Sequence, residues 1–237
     1  MSNPGGAADP PPREGPGGEI AYLDANATTF QSAKTIDTLV RWCNRGNPSA
    51  AYASAVEAKK MLASFRRTIA QVCNFDPDDY RVIFTSGASE SNSMIITSAV
   101  RAYRHRTQTL PHIITSAVEH KSVLDCCWQL AEERLAQLTV LGVAQSGPYY
   151  GTVDPRDVER AIRASTCLIT IMTANNETGI INDIRAIGEA ARRGGVPFHT
   201  DAVQIFGKSP TQPDEQMVDA FSASFHKLHG PPGVGLL

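Results

Sequence analysis

Apolar and polar positions along this chain follow two rhythms in turn. From Tyr80 onward, short β-rich runs are separated by longer segments with helical spacing. The β-type runs are Arg81–Phe84, His112–Thr115, Leu138–Leu141, Leu168–Met172, Phe198–Thr200 and Ala220–Ala223. Their Val, Ile, Thr and Phe content suits a pleated, half-buried surface. The helical runs lie near Glu90–Tyr103, Lys121–Leu135, Pro155–Ala164 and Ile184–Arg193. This alternation predicts an α/β domain with a mostly parallel central sheet and helices on both faces. Upstream, a short helix is expected from Ser32 to about Cys43. A longer one is expected from about Ala50 to Val72, with the Gly-, Asn- and Pro-containing stretch Arg45–Ser49 as the loop between them. Residues 1–18 are rich in Pro and Gly, with neither an apolar signal core nor an Arg-rich amphipathic pattern. They read as a disordered tail rather than a targeting peptide, which leaves 19–237 as one large domain.

Composition narrows the picture. A chain of 237 residues can bury a sizeable core. With 22 Lys and Arg against 24 Asp and Glu, nothing favours nucleic acid or an anionic membrane as partner. No apolar run approaches the length of a membrane span. The five cysteines, Cys43, Cys73, Cys126, Cys127 and Cys167, are odd in number and form no C-x-x-C pair. That argues against a secreted disulfide framework and a structural zinc site, so no metal is expected. A reducing compartment, most simply the cytosol, is the expectation.

Parallel sheets place their ligand sites at the carboxyl ends of strands, so polar residues just after each β-run are the ones to read for chemistry. Phe84 is followed by Thr85-Ser86-Gly87-Ala88-Ser89-Glu90-Ser91-Asn92 and then a helical run. A small-residue turn at a helix start offers free N–H groups and the positive end of the helix dipole, an anion site to which Ser89 adds a hydroxyl. An ordinary Ser/Gly helix cap explains the same residues. Asp201 stands at the end of Phe198-His199-Thr200-Asp201. A buried carboxylate there needs a partner, and a protonated pyridine nitrogen, as in pyridoxal-5′-phosphate (PLP) chemistry, is one. A helix N-cap is the plainer reading. Gln204, one helical turn on, could donate to the phenolic oxygen of such a ring. Lys227, in Ser222-Ala223-Ser224-Phe225-His226-Lys227, precedes a Gly/Pro loop. It suits a Schiff-base lysine whose amine becomes nucleophilic when desolvated, or else a solvated surface lysine. Asn175-Asn176-Glu177-Thr178-Gly179 could hold a ring oxygen or a substrate carboxylate, or simply form a turn. His120 could lie over an aromatic cofactor and move protons, or be a lone histidine near a helix start.

The order and spacing of these pieces are more specific than any one of them. Leu23-Asp24-Ala25-Asn26-Ala27-Thr28-Thr29, Gly46-Asn47-Pro48-Ser49, the Thr85–Asn92 turn, Glu119-His120, Ala174–Gly179, His199–Gln204 and Ser224–Lys227 together resemble the NifS-like cysteine desulfurases of the class V aminotransferase group. The resemblance runs from about Tyr22 to the last residue. It implies the large domain of a type I PLP-dependent transferase. Lys227 would carry PLP, Asp201 would pair with the pyridine nitrogen, and His120 would stack on the ring and help transfer protons. Asn176 and Gln204 would hold the ring oxygen or the substrate end of the site. Ala88, Ser89, Ser224 and His226 would bind the phosphate. The implied activity is sulfur transfer from L-cysteine, leaving alanine and an enzyme persulfide, with a sulfur-acceptor protein, a homodimer and iron–sulfur cluster assembly as context.

Several positions depart from the family pattern. Tyr52 and Ala55 stand where a His and then a Gly are frequent, Ser89 stands for a Thr, and Pro232 stands where a Lys is common. Family members continue well beyond the lysine. Their small C-terminal domain, an arginine for the substrate carboxylate, the persulfide cysteine and a residue reaching a neighbouring subunit's phosphate are expected outside these 237 residues. None of the five cysteines matches the persulfide position. A fragment inactive on its own is therefore expected. A non-catalytic scaffold with the same fold, a selenocysteine lyase and another class V enzyme are the alternatives.

Overall fold

The computed structural model describes residues 21–237; the tail expected at 1–18 lies outside them. In chain order the elements are α1 (Ala33–Trp42), α2 (Ala53–Cys73), β1 (Phe84–Thr85), α3 (Ala88–Thr107), β2 (His112–Ser116), α4 (Lys121–Glu132) and β3 (Gln137–Leu141). There follow α5 (Pro155–Ala161), β4 (Thr166–Thr170), α6 (Ile184–Arg193), β5 (Phe198–Asp201), α7 (Pro213–Gln216), β6 (Ala220–Ser224), a 3-10 turn over Phe225–Lys227 and β7 (Gly235–Leu236). The strands form one seven-stranded sheet in the order β1-β7-β6-β5-β4-β2-β3. Strands β2 to β6 pair in parallel, and β7 runs antiparallel to both β1 and β6.

Period-two alternation sends neighbouring residues to opposite sides. Ile113 and Leu168 pack with Ile96 and Val100 of α3 and Val123, Cys127 and Leu130 of α4. Their neighbours Ile114 and Ile169 pack with Ile69 of α2, Val158 of α5 and Ile184, Ile187 and Ala191 of α6. The sheet is therefore covered on both faces, as the β/α alternation predicts. Helix α6 shows how local sequence sets this. Asp183 caps its N-terminus by accepting from the Ala186 N–H at 3.0 Å. Ile184, Ile187, Gly188, Ala190 and Ala191 form its buried side, and Arg192 and Arg193 sit at the negative end of its dipole.

The sheet centre is stitched by two buried histidines. His112 lies 2.9 Å from Thr166 Oγ1 and 2.8 Å from Thr139 Oγ1, joining β3, β2 and β4. His199 lies 2.8 Å from Thr170 Oγ1 and 2.9 Å from Ser222 Oγ, joining β4, β5 and β6. Burial depresses both rings, His112 to about 4 and His199 to about 3, with the Arg163 charge adding to the first.

Some boundaries differ from the sequence reading. Strand β4 ends at Thr170 rather than Met172, because the Met172 N–H donates to Glu119 Oε1 at 2.9 Å instead of to a strand. Helix α5 stops at Ala161, where Ile162 turns extended. The run Arg81–Phe84 contributes a regular strand only from Phe84, with Ile83 exchanging backbone hydrogen bonds with Leu237. Gln204 is not one helical turn beyond Asp201, since residues 202–208 form turns rather than a helix. Helix α7 and strand β7, too short to show periodicity, have no counterpart in the sequence reading.

Candidate active site

A cavity of about 630 Å³ opens at the carboxyl ends of the parallel strands, within the roughly 300–1,000 Å³ of small-molecule sites. All nine residues singled out from sequence line it: Ala88, Ser89, His120, Asn176, Asp201, Gln204, Ser224, His226 and Lys227. Each arrives on a strand end, on the turn after one or, for Ala88 and Ser89, in the first turn of the helix that follows.

Gly87 is the N-cap of α3, and no side chain caps the helix; Gly87, Ala88 and Ser89 face the cavity. The first-turn N–H groups and the positive helix end are thereby left for an anion. The Glu90 carboxylate is drawn off this turn by the Ser86 N–H at 2.6 Å and the Ser86 hydroxyl at 2.7 Å, which hold it below its usual range. Strand β7 passes close behind. A Cβ on Gly235 would come within 2.6 Å of the Gly87 backbone, so only glycine lets the two approach. Ser224, at the end of β6, and His226 complete this side of the cavity.

Asp201 ends β5 and is 4 % exposed. Its Oδ1 accepts from the Val203 N–H at 3.0 Å and its Oδ2 from Asn92 Nδ2 at 2.8 Å. Burial still pushes its carboxyl up, against the effect of these bonds and of the His120 and Lys227 charges. A cation at this carboxylate would relieve that cost. Lys227 ends the 3-10 turn after β6, half-buried, and donates to the Asn26 carbonyl and, at 2.7 Å, to the Ala27 carbonyl. Burial and then the Lys208 charge lower its pKa, opposed by Asp24 and Asp201. His226 is lowered by burial and by Lys227, and its Nδ1 lies 3.1 Å from Thr28 Oγ1.

His120 is the N-cap of α4, its Nδ1 accepting from the Ser122 N–H at 3.1 Å. The two asparagines after β4 divide the work that sequence left open between turn and ligand. Asn175 builds the turn, accepting from the Glu177 and Thr178 N–H groups at 3.0 and 2.9 Å and donating to the Val118 carbonyl. Asn176 is left to the cavity. Gln204 donates to the Asn26 carbonyl at 3.2 Å.

Sequence reasoning assigned no site role to the stretch from Asp24 to Thr35, which closes the cavity. Thr29 donates both N–H and hydroxyl to the His226 carbonyl at 2.8 Å and accepts from the His229 N–H at 2.6 Å. Thr35 donates to the His229 carbonyl at 2.9 Å. Asp24, Asn26 and Ala27 thereby join the lining. The local signal is the motif Leu23–Thr29, one of the pieces that carry the family resemblance. Asn92 and Ser122 were also assigned no role.

The donor set suits one kind of ligand. An uncapped helix end for a phosphate, a buried carboxylate short of a cation and an amine with a depressed pKa fit a phosphorylated pyridine aldehyde. No cysteine lines the cavity among the described residues.

The chain has relatives among the cysteine desulfurases. It is 38 % identical over 219 residues to the mitochondrial cysteine desulfurase of Eremothecium gossypii, covering 91 % of this chain and 43 % of that protein. It is 39 % identical over 221 residues to the cysteine desulfurase IscS of Photorhabdus laumondii, covering 91 % and 52 %. Among solved structures, SspA in complex with cysteine superposes with a TM-score of 0.83 at 36 % identity, covering 92 % of this chain and 60 % of that one. The chain spans about half the length of the curated relatives it matches. These relatives are PLP-dependent. Residues 21–237, the whole of the described structure, match the aminotransferase class-V family, and this chain belongs to it.

Proposed function

We propose that this chain is the cofactor-binding half of a PLP-dependent cysteine desulfurase acting on L-cysteine. One observation carries the reading: Lys227, Asp201, His120 and the uncapped start of α3 converge on one cavity. Lys227, whose amine pKa is lowered by burial, would be the residue that holds the cofactor. Asp201 keeps the pyridine nitrogen protonated. The α3 turn at Ala88 and Ser89, with Ser224 and His226, takes the phosphate. Asn176 and Gln204 face the ring oxygen and the substrate end. His120, lining the cavity, would move a proton at the substrate Cα. PLP, when bound, supplies the electron sink that makes that proton labile.

A desulfurase also needs a thiolate at the substrate sulfur and a cation for the substrate carboxylate. Cys73, Cys127 and Cys167 are buried, and burial pushes their thiols up, to about 11 for Cys73 and Cys167. Cys126 is half-buried and Cys43 lies exposed just after α1. In this reading the persulfide thiol, the carboxylate-binding cation and a homodimer partner come from chain other than these residues. The persulfide passes to an acceptor protein, for which iron–sulfur assembly is the natural destination. An odd number of cysteines with no C-x-x-C pair favours a reducing compartment such as the cytosol in this reading.

The test is PLP titration of the purified chain, followed by borohydride reduction and peptide mass mapping. The expected result is visible absorbance and a phosphopyridoxyl group on Lys227, both lost in Lys227→Ala. Reduction products on another lysine, or an unchanged spectrum in Lys227→Ala, would overturn the assignment.

A further inference from the structure

The two sides of the cavity are joined by hydrogen bonds whose donors and acceptors run one way. Asn92 Nδ2 has two protons and two acceptors: Asp201 Oδ2 at 2.8 Å and Ser122 Oγ at 2.9 Å. An amide nitrogen only donates, so the Ser122 oxygen accepts and its hydroxyl proton is free for its other neighbour. That neighbour is His120 Nδ1 at 2.8 Å, which also receives the Ser122 N–H at 3.1 Å. Two donors thus aim at Nδ1, and a neutral His120 carries its proton on Nε2, the ring nitrogen left for the cavity. Reversing the Asn92 amide would set two acceptors, its own oxygen and the Asp201 carboxylate, against each other.

We infer that Asn92 and Ser122 are positioning residues that hold His120 in the Nε2–H form and tie it to the frame that holds Asp201. This rests on the PLP reading for the meaning of His120 and Asp201, but not for the relay itself. A helix cap alone does not account for it. Asn92 belongs to α3, not α4, and it is completely buried with its Oδ1 lacking any partner. A residue there for packing would be apolar. This one accepts an unsatisfied oxygen to deliver both of its protons. Should the ring act at the substrate Cα, the relay presents the same nitrogen, in the same protonation form, on every turnover. The Asn92 bond also opposes the upward push of burial on Asp201.

The test uses the chain labelled with [¹⁵N]histidine, with and without [¹⁵N]PLP; His120→Gln assigns the His120 signals. Wild type is expected to show the Nε2–H pattern for His120 and a protonated pyridine nitrogen. Ser122→Ala should move the His120 nitrogens toward a tautomer mixture, by about fivefold in ratio for one lost hydrogen bond, and leave the pyridine signal in place. Ser122→Thr should restore the His120 pattern. Asn92→Ala should move both signals. Variants that change thermal stability while both nitrogens keep wild-type shifts would overturn the inference, as would an Nδ1–H pattern in wild type. If PLP fails to load, the functional reading falls, and the His120 spectra of the unloaded chain still decide the relay.

Discussion

Acid should loosen this site through His199, by an amount the structure sets. The ring is completely buried between Thr170 and Ser222, and burial holds it at about 3. In the unfolded chain an ordinary histidine titrates near 6.5. The folded pKa is depressed, so the unfolded state binds the extra proton between the two values. Stability is therefore complete above about 6.5 and is lost as pH falls toward 3. At 1.36 kcal/mol per unit, His199 alone accounts for a loss of about 2 kcal/mol between pH 7 and pH 5, and about 3 kcal/mol by pH 4. That is a large share of the roughly 5–15 kcal/mol that a domain has. The assay is urea unfolding of wild type and His199→Gln at pH 7 and pH 5, followed by the fluorescence of Trp42 and Trp128. Glutamine does not titrate, so the variant should be weaker at pH 7 but should lose about 2 kcal/mol less on acidification. His112, depressed to about 4, and the carboxylates titrate in both proteins and cancel in the difference. Equal losses in the two proteins would refute the reasoning. Because His199 joins the strands that end in Asp201 and Ser224, PLP affinity should weaken over the same pH range.

Three further outcomes are expected. Glu119 is buried, and desolvation pushes it up to about 8 against its bonds from Ser116 and Met172. This raised pKa makes its contribution to stability greatest at low pH and lost as pH rises through about 8. Glu119→Gln should flatten that dependence at little cost, while Glu119→Ala, leaving two buried donors unpaired, should cost about 2–5 kcal/mol in urea unfolding. Gly235→Ala drives a Cβ into the Gly87 backbone; it should destabilise by about 1–3 kcal/mol and weaken PLP binding in a fluorescence titration. The chain incubated with PLP, cysteine and reductant should release sulfide no faster than free PLP does, since no thiol lines the cavity; turnover like that of a full-length relative would place the nucleophile at one of the five cysteines.

The sequence by itself determined what can be specified within a few residues. Strand and helix periods, the Gly-, Asn- and Pro-containing loop at Arg45–Ser49, and the polar residues after each strand are local. Alone they left Lys227, Asp201, His120 and the Ala88–Ser89 turn each with a plainer reading, and pointed them toward one edge only because parallel strands carry their carboxyl ends there. Motif order narrowed the chemistry further, again without knowledge of contacts. Only the tertiary structure decided what depends on which strands become neighbours. It brought Asn92 to Asp201 across 109 positions and Thr29 to His226 across 197. It ended β4 early by giving the Met172 N–H to Glu119, and it set Gly235 against Gly87. Neither period nor propensity encodes such pairings. They arise when packing brings together groups far apart in the chain, and buried polar groups among them have only one another to satisfy them.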